Sequence, residues 1–346
     1  MRSLFTKVIT GTVALGLAGT LVSCGGNQAS GELASDSWDE VVAAAKEEGK
    51  VNFYTGMAEI QNTRLVKAFN AQYPEIVVNV QRGAGEMTPR VESEMSSGTP
   101  GADVFALADP NWFKQKGEES FLPVSGPATT DWSSDGWARE GLAPVVTATP
   151  NAIFVWNTDI FPDGFKDWDD FLAPQVKGKI GLRTDVTKSV AGYLDMMETS
   201  LGEGYLRSLG KQAPKVYPSV VPMTQAVASG EVGVTNASLP PTVYELKQNG
   251  APIESFVPNN PGYAMEFGIA PLTNSRNPNA AALFTDFSIS EKGQEAVNGD
   301  GFGASMGLDD ISGALDLSGS TMMDSSKYDA ASIDEWNAKL KEYYKQ

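Results

Sequence analysis

Three cations in this chain stand beside small and hydroxyl-bearing residues, the combination that holds a small anion. Arg82 is followed by Gly83-Ala84-Gly85-Glu86, while Arg183 and Lys188 frame Thr184 to Thr187, with Ser189 next. A guanidinium offers carboxylate or phosphate a fork of donors, and small residues ahead of a helix present bare backbone N–H groups to the same charge. The opposite sign is served too. Glu86 and Asp109 are carboxylates at comparable turns, and Trp156 and Tyr263 offer ring faces to an organic cation. Tyr54-Thr55-Gly56-Met57 and Thr235-Asn236-Ala237-Ser238 add neutral groups, Gly56 permitting close backbone approach. Each has a plainer reading: Gly56 as a strand-to-helix turn, Glu86 as a cap, Arg82 as a solvated cation, the two aromatics as core. The sign of the ligand charge stays open between an organic anion, which the cations favour, and a cation.

Catalysis finds little to work with. The chain has no histidine and one cysteine, Cys24, so Cys/His zinc sites and most nucleophile–base pairs are unavailable. Ser208-Leu209-Gly210-Lys211 fits S-x-x-K without its S-D-N and K-T-G companions, and Asp169-Asp170 suits the first turn of a helix. A formal charge of −17 speaks against nucleic acid, whose phosphates need a basic face. The expectation is a monomeric binding protein without cofactor or metal. A lipid-anchored hydrolase is the rival of another class, distinguished by turnover of a bound compound.

The elements that must position these residues begin after an export-type start: Arg2 and Lys7, then an apolar run from Val8 to Val22. Leu21-Val22-Ser23-Cys24 resembles the lipobox of bacterial lipoproteins. That resemblance implies a signal peptide over residues 1–23, a diacylglyceryl group on the Cys24 thiol, and a flexible tether over 24–35. One acyl chain holds a protein to a membrane marginally and two hold it stably. Ser37 and Glu40 predict a capping box for a helix ending at Gly49. Strands follow at 51–54, 76–80 and 104–107, with helices between them, one carrying Ile60, Leu65, Val66 and Phe69. A second set runs from Ala152–Trp156 through Lys179–Leu182, a helix from Ser189 to Met197, and Val232–Val234. Helices are expected at 280–287 and 333–344, the last capped by Ser332 and Glu335. Strand–helix alternation at this pitch implies βαβ units and mostly parallel sheets.

Trp168-Asp169-Asp170-Phe171-Leu172-Ala173-Pro174 with Lys177-Gly178-Lys179-Ile180, then Ala228-Ser229-Gly230-Glu231-Val232, then Asn277-Pro278-Asn279-Ala280-Ala281 with Ser290-Glu291-Lys292-Gly293-Gln294-Glu295, resemble in order the motifs of bacterial extracellular solute-binding proteins of ABC transporters. The likeness is to the branch that includes ferric-iron, thiamine and phosphonate-type receptors. It implies an α/β protein with the two-lobe type II periplasmic-binding-protein fold, each lobe a mostly parallel sheet flanked by helices. Residues 36–148 and 266–346 would form lobe one and 149–265 lobe two. Ligand would sit between them, and loops after the strands, Thr187 to Ser189 and Asn236 to Ser238 among them, would supply contacts. It further implies a permease and ATPase complex as partner, and a place in the cell envelope, lipid-anchored on the outer face of the cytoplasmic membrane or periplasmic. Ferric-binding relatives present an acid after the second strand, in many a histidine after the first, and a tyrosine pair after a late lobe-two strand. Glu86 matches the acid, but histidine is absent, Ala237-Ser238 stands where the tyrosines would fall, and Tyr343-Tyr344 is expected on the surface. That leaves a phosphonate, phosphate ester or carboxylate as the expected solute, with ferric iron, thiamine or a polyamine as alternatives.

Overall fold

The structure is a computed structural model that describes residues 31–35, 37–83, 86–258 and 260–344. Cys24, the signal segment 1–23, most of the tether, and Ala84 and Gly85 lie outside the described residues. In chain order the first part comprises α1 (Trp38–Glu48), β1 (Lys50–Thr55), α2 (Glu59–Gln72), β2 (Val77–Arg82), α3 (Met87–Ser97), β3 (Val104–Leu107), α4 (Pro110–Gln115), β4 (Trp137–Arg139) and β5 (Ala143–Pro150). A second group follows: β6 (Phe154–Asn157), β7 (Ile180–Arg183), α5 (Lys188–Leu201), α6 (Tyr205–Lys211), β8 (Lys215–Tyr217), α7 (Val220–Ala228), β9 (Val234–Thr235), α8 (Pro240–Gln248) and β10 (Ile253–Phe256). The chain returns through β11 (Gly262–Pro271), α9 (Pro278–Ile289), α10 (Glu291–Asn298) and β12 (Ser320–Met322), and ends with α11 (Ala330–Tyr344).

Two sheets result. The first has seven strands in the order β2-β1-β3-β11-β5-β4, with β12 added beside β11; the second has five, β10-β6-β9-β7-β8. β1 pairs β2 and β3 in parallel, and β7 pairs β8 and β9 in parallel, whereas β11 runs antiparallel to β3 and β5 but parallel to β12, and β6 runs antiparallel to β9 and β10. Strand alternation sends Val51 and Phe53 to one face, where Phe53 meets Phe284 with ring centroids 5.0 Å apart, and Tyr54 to the other, among Val91, Phe105 and Phe113. The second core centres on Phe154, 4.9 Å from Trp168 and 4.7 Å from Phe171. The Trp168-Asp169-Asp170 segment is a tight helical turn: Asp167 accepts the Asp169 N–H, and Asp170 accepts the N–H groups of Lys166 and Asp167. Those carboxylates are therefore caps.

Three local expectations are corrected. Ser37 begins α1 but makes no side-chain cap bond, although the helix does stop at Gly49 with φ +67°. The last helix starts at Ala330, so Ser332 falls within its first turn. There Asp329 and Ser332 exchange bonds, the Asp329 N–H to Oγ at 2.7 Å and the Ser332 N–H to Oδ1 at 2.9 Å. The third correction is larger. Assigned to lobe one with the rest of 266–346, α11 instead packs on α5 and α6, burying Trp336, Leu340 and Tyr344 in the second core. Tyr344, expected at the surface, is 8 % exposed, because an amphipathic helix is buried by whichever lobe offers a matching groove.

Candidate functional site

Register fixes which strand ends face the other lobe. β11 pairs Leu107 of β3 at Gly268, and its earlier residues run past the carboxyl end of β3 toward the second sheet. β6, entered directly from β5, pairs Thr235 of β9 at Val155, so the carboxyl end of β9 turns back toward the first sheet. The loops after β1, β2 and β3 thus confront those after β7 and β9. Ligands of open α/β sheets bind beyond such carboxyl ends.

On the first-lobe side, much of what the sequence offered is already engaged. Tyr54 is 2 % exposed, and its hydroxyl accepts from Arg90 Nη2 at 2.5 Å while that guanidinium lies 4.6 Å from the ring centroid. Burial foremost, then Glu94, raises its pKa. Thr55 is fully buried; its hydroxyl donates to Asn62 Oδ1 and accepts the Met57 N–H, holding the turn. Arg82 donates Nε to the Met57 carbonyl at 2.9 Å and lines a cavity beside α2 with Glu59, Asn62 and Lys67. Asp109 caps α4 and accepts from Ser325 and the Asn111 N–H. Glu86 is exposed at the start of α3, and Gly83 sits against Met87. Gly56 stays open: a Cβ there would find its nearest neighbour, Phe267 Cε1, only at 3.7 Å.

Across the cleft, Arg183 is held by its own loop. Nε and Nη2 reach the two oxygens of Asp185 at 2.8 and 2.7 Å, a bidentate pair that neutralises the expected anion anchor. Thr187 caps α5 and meets the Ser189 hydroxyl at 3.0 Å. Lys188 is exposed, and its ammonium has no partner among the described residues. Ser238 is fully buried and bonds Thr224 at 2.7 Å, which makes it core. Asn236 is 1 % exposed; its backbone carbonyl accepts the Tyr193 hydroxyl, and its Nδ2 is buried without a partner among the described residues. Trp156 is half-buried and packs against Gly164, with Phe165 at 6.1 Å, on the edge of the second core. Tyr263 lies at the crossing, with its ring 6.1 Å from Tyr193 and its hydroxyl over Gly192, where any Cβ would stand 2.1 Å away. That hydroxyl has no hydrogen-bond partner among the described residues, and burial, then Tyr328 and Asp195, pushes its pKa up.

One residue that sequence reasoning missed stands where the cleft floor must be. Glu266 lies on β11 opposite Ala148, two residues beyond the Gly268–Leu107 pair at the carboxyl end of β3, on the face opposite to Phe267, whose ring reaches the Gly56 turn. It is half-buried, and its carboxylate accepts no hydrogen bond and joins no ion pair among the described residues. Burial raises its pKa, and the more distant Lys114 offsets part of that rise. The sequence signal was a lone acid inside the apolar run Gly262–Pro271.

Two sheet-and-helix lobes, crossed by the chain and meeting at their strand ends, define the type II periplasmic-binding-protein class. The profile described as bacterial extracellular solute-binding protein matches residues 55–295, and the chain belongs to that family. Solved structures share the architecture. The substrate-binding protein of an ABC transporter from Agrobacterium tumefaciens superposes with TM-score 0.71 at 15 % identity, over 87 % of this chain and 97 % of that one. Iron-bound HitA of Pseudomonas aeruginosa gives 0.64 at 18 %, over 84 % and 99 %. The spermidine/putrescine ABC transporter substrate-binding protein PotD of Streptococcus pneumoniae gives 0.62 at 15 %, over 85 % and 99 %. At these identities the likeness is one of fold.

Proposed function

We propose that this protein is the receptor of an ABC importer, capturing a small organic cation between its lobes and delivering it to a permease and ATPase complex. The observation that carries the sign of the charge is Glu266, an unpaired, half-buried carboxylate at the cleft floor. A carboxylate taken out of water needs a cation or donors, and an ammonium closing over it supplies both. The cations expected to hold an anion are less available: Arg183 is neutralised by Asp185, and Arg82 is tied to the Met57 carbonyl. Asn236 Nδ2 is a further unsatisfied group in the facing loop. Solute touching both rims adds contacts that only the closed form makes, which shifts the population toward closure.

An anionic solute, such as a phosphonate, phosphate ester or carboxylate, remains the second reading, favoured by Lys188 at the start of α5, where the helix N-terminus also attracts negative charge. Ferric iron gains less: no group of three or more acidic, histidine or cysteine side chains gathers among the described residues. The hydrolase reading loses Asp170, one member of its carboxylate pair, to the cap around Trp168. Lipidation at Cys24 would tether the receptor at the outer face of the cytoplasmic membrane, acting as a monomer. A thermal-shift series with spermidine, putrescine and thiamine against phosphonates, phosphate esters and chelated Fe(III) tests the sign. A ligand at 100 times its Kd adds about 2.7 kcal/mol. A rise confined to amines, lost in Glu266→Gln, is expected; a rise confined to anions sinks the cation reading.

A further inference from the structure

Asp286 lies within α9 and is 5 % exposed. One oxygen accepts the Ala128 N–H at 3.1 Å, and the carboxylate joins no ion pair among the described residues. Burial lifts its pKa to about 6. A carboxylate this deep with one hydrogen bond is costly, and proteins pair such groups. Asp286 is also a wall of a cavity of about 570 Å³, within the range of small-ligand pockets. Trp38, Tyr73 and Phe287 supply aromatic walls. Gly126 lets two of these parts converge: a Cβ there would fall 2.3 Å from Asp286 Cγ and 2.6 Å from Trp38 Cη2. The rim carries Asp131, Glu291, Asp309 and Asp310 against a single cation, Lys292.

We propose that this cavity is a second ligand site, separate from the inter-lobe cleft, for an organic ammonium, with Asp286 as counter-ion and the rings of Trp38, Tyr73 and Phe287 as its walls. The chemistry is that of a cation held between a carboxylate and aromatic faces. An anion would meet the acidic rim, and a neutral guest would leave Asp286 unpaired. A bare metal ion needs several oxygen ligands at close range, and no such group is gathered among the described residues. The site is remote from the cleft. α2 begins beside the cleft turn at Glu59 and reaches the cavity only at Gln72, so its 14 residues span roughly 20 Å between the two.

The test is calorimetric titration of the full chain with choline and with its neutral isostere 3,3-dimethyl-1-butanol, alongside the indole N–H resonance of Trp38, assigned through Trp38→Phe. Choline should bind and shift that resonance, the isostere should bind at least about tenfold more weakly, and Asp286→Asn should lose about tenfold in choline affinity. No heat and no Trp38 shift up to about 10 mM choline would overturn the site. So would a choline affinity unchanged in Asp286→Asn, or one lost in Glu266→Gln and kept in Asp286→Asn, which would place choline in the cleft. The resonance of the unmodified protein reads the site even where a variant folds poorly.

Discussion

Asp103 and Asp286 are carboxylates of the same lobe buried to similar depth, 1 % and 5 % exposed, and their surroundings are opposite. Asp103 accepts four bonds: from the Asn52 N–H at 2.8 Å, the Ser275 hydroxyl at 2.6 Å, the Arg276 N–H at 3.1 Å and Asn277 Nδ2 at 2.9 Å. It ties β1 to the turn that follows β11, and all of its acceptor capacity is used. Asp286 accepts one bond and faces a cavity. Burial alone therefore does not separate a structural acid from an available one; the count of donors around it does. By that measure Glu266 groups with Asp286.

The comparison breaks first at Asp103. Asp103→Asn turns an amide toward groups that are themselves donors, and should lower unfolding stability by about 2–4 kcal/mol, measured by urea denaturation. A loss under about 0.5 kcal/mol would mean that the four bonds do little.

Asp286→Asn should move stability the other way. Its folded-state pKa of about 6 lies above that of an unfolded aspartate, so folding takes up a proton between the two values. The stabilisation from that proton is complete below about pH 4 and lost as pH rises through about 6. The neutral amide keeps the bond to the Ala128 N–H, and should raise stability by about 1–3 kcal/mol at pH 8 while leaving pH 4 nearly unchanged. Equal effects at both pH values would show that burial is not what strains the carboxylate.

Glu266→Gln sharpens the grouping. It should cost about tenfold or more in affinity for an amine solute by calorimetry, about 1.4 kcal/mol, with little change in melting temperature. Removing the charge of Lys188 is the smallest step. Lys188→Ala should change amine affinity by less than about threefold, since the side chain is exposed and unpaired.

The alternation of strands and helices was legible because each element carries its own period, and the segment from Trp168 to Ile180 holds its turn through carboxylates visible in the sequence. Even the engagement of Tyr54 was half-legible: Tyr54 and Thr55 are adjacent in a strand, so they must face opposite sides. The pairing of Arg183 with Asp185 is present in the sequence as a two-residue spacing, which by itself does not tell a neutralised cation from a free one. What the sequence does not carry is the neighbourhood of a group. Glu266 is notable only because nothing among the described residues pairs with it, and Asp286 only because Ala128, more than a hundred residues earlier in the chain, brings a single donor. Nor does an amphipathic pattern say which lobe will bury α11.

That last helix has a mechanical consequence. Besides the links at Pro150–Phe154 and Phe256–Gly262, a third runs from β12 to α11, pinned to the first lobe where Asn111 meets Asp324 and Ser325, and to the second where Tyr328 donates to Asp195 at 3.1 Å. Two straps leave a pair of bodies free to twist as well as bend. The third runs beside them, Ser320 against Gly262 and Ala264 against Pro150, so the joint is three strands wide and, like a strip hinge, resists torsion more than bending.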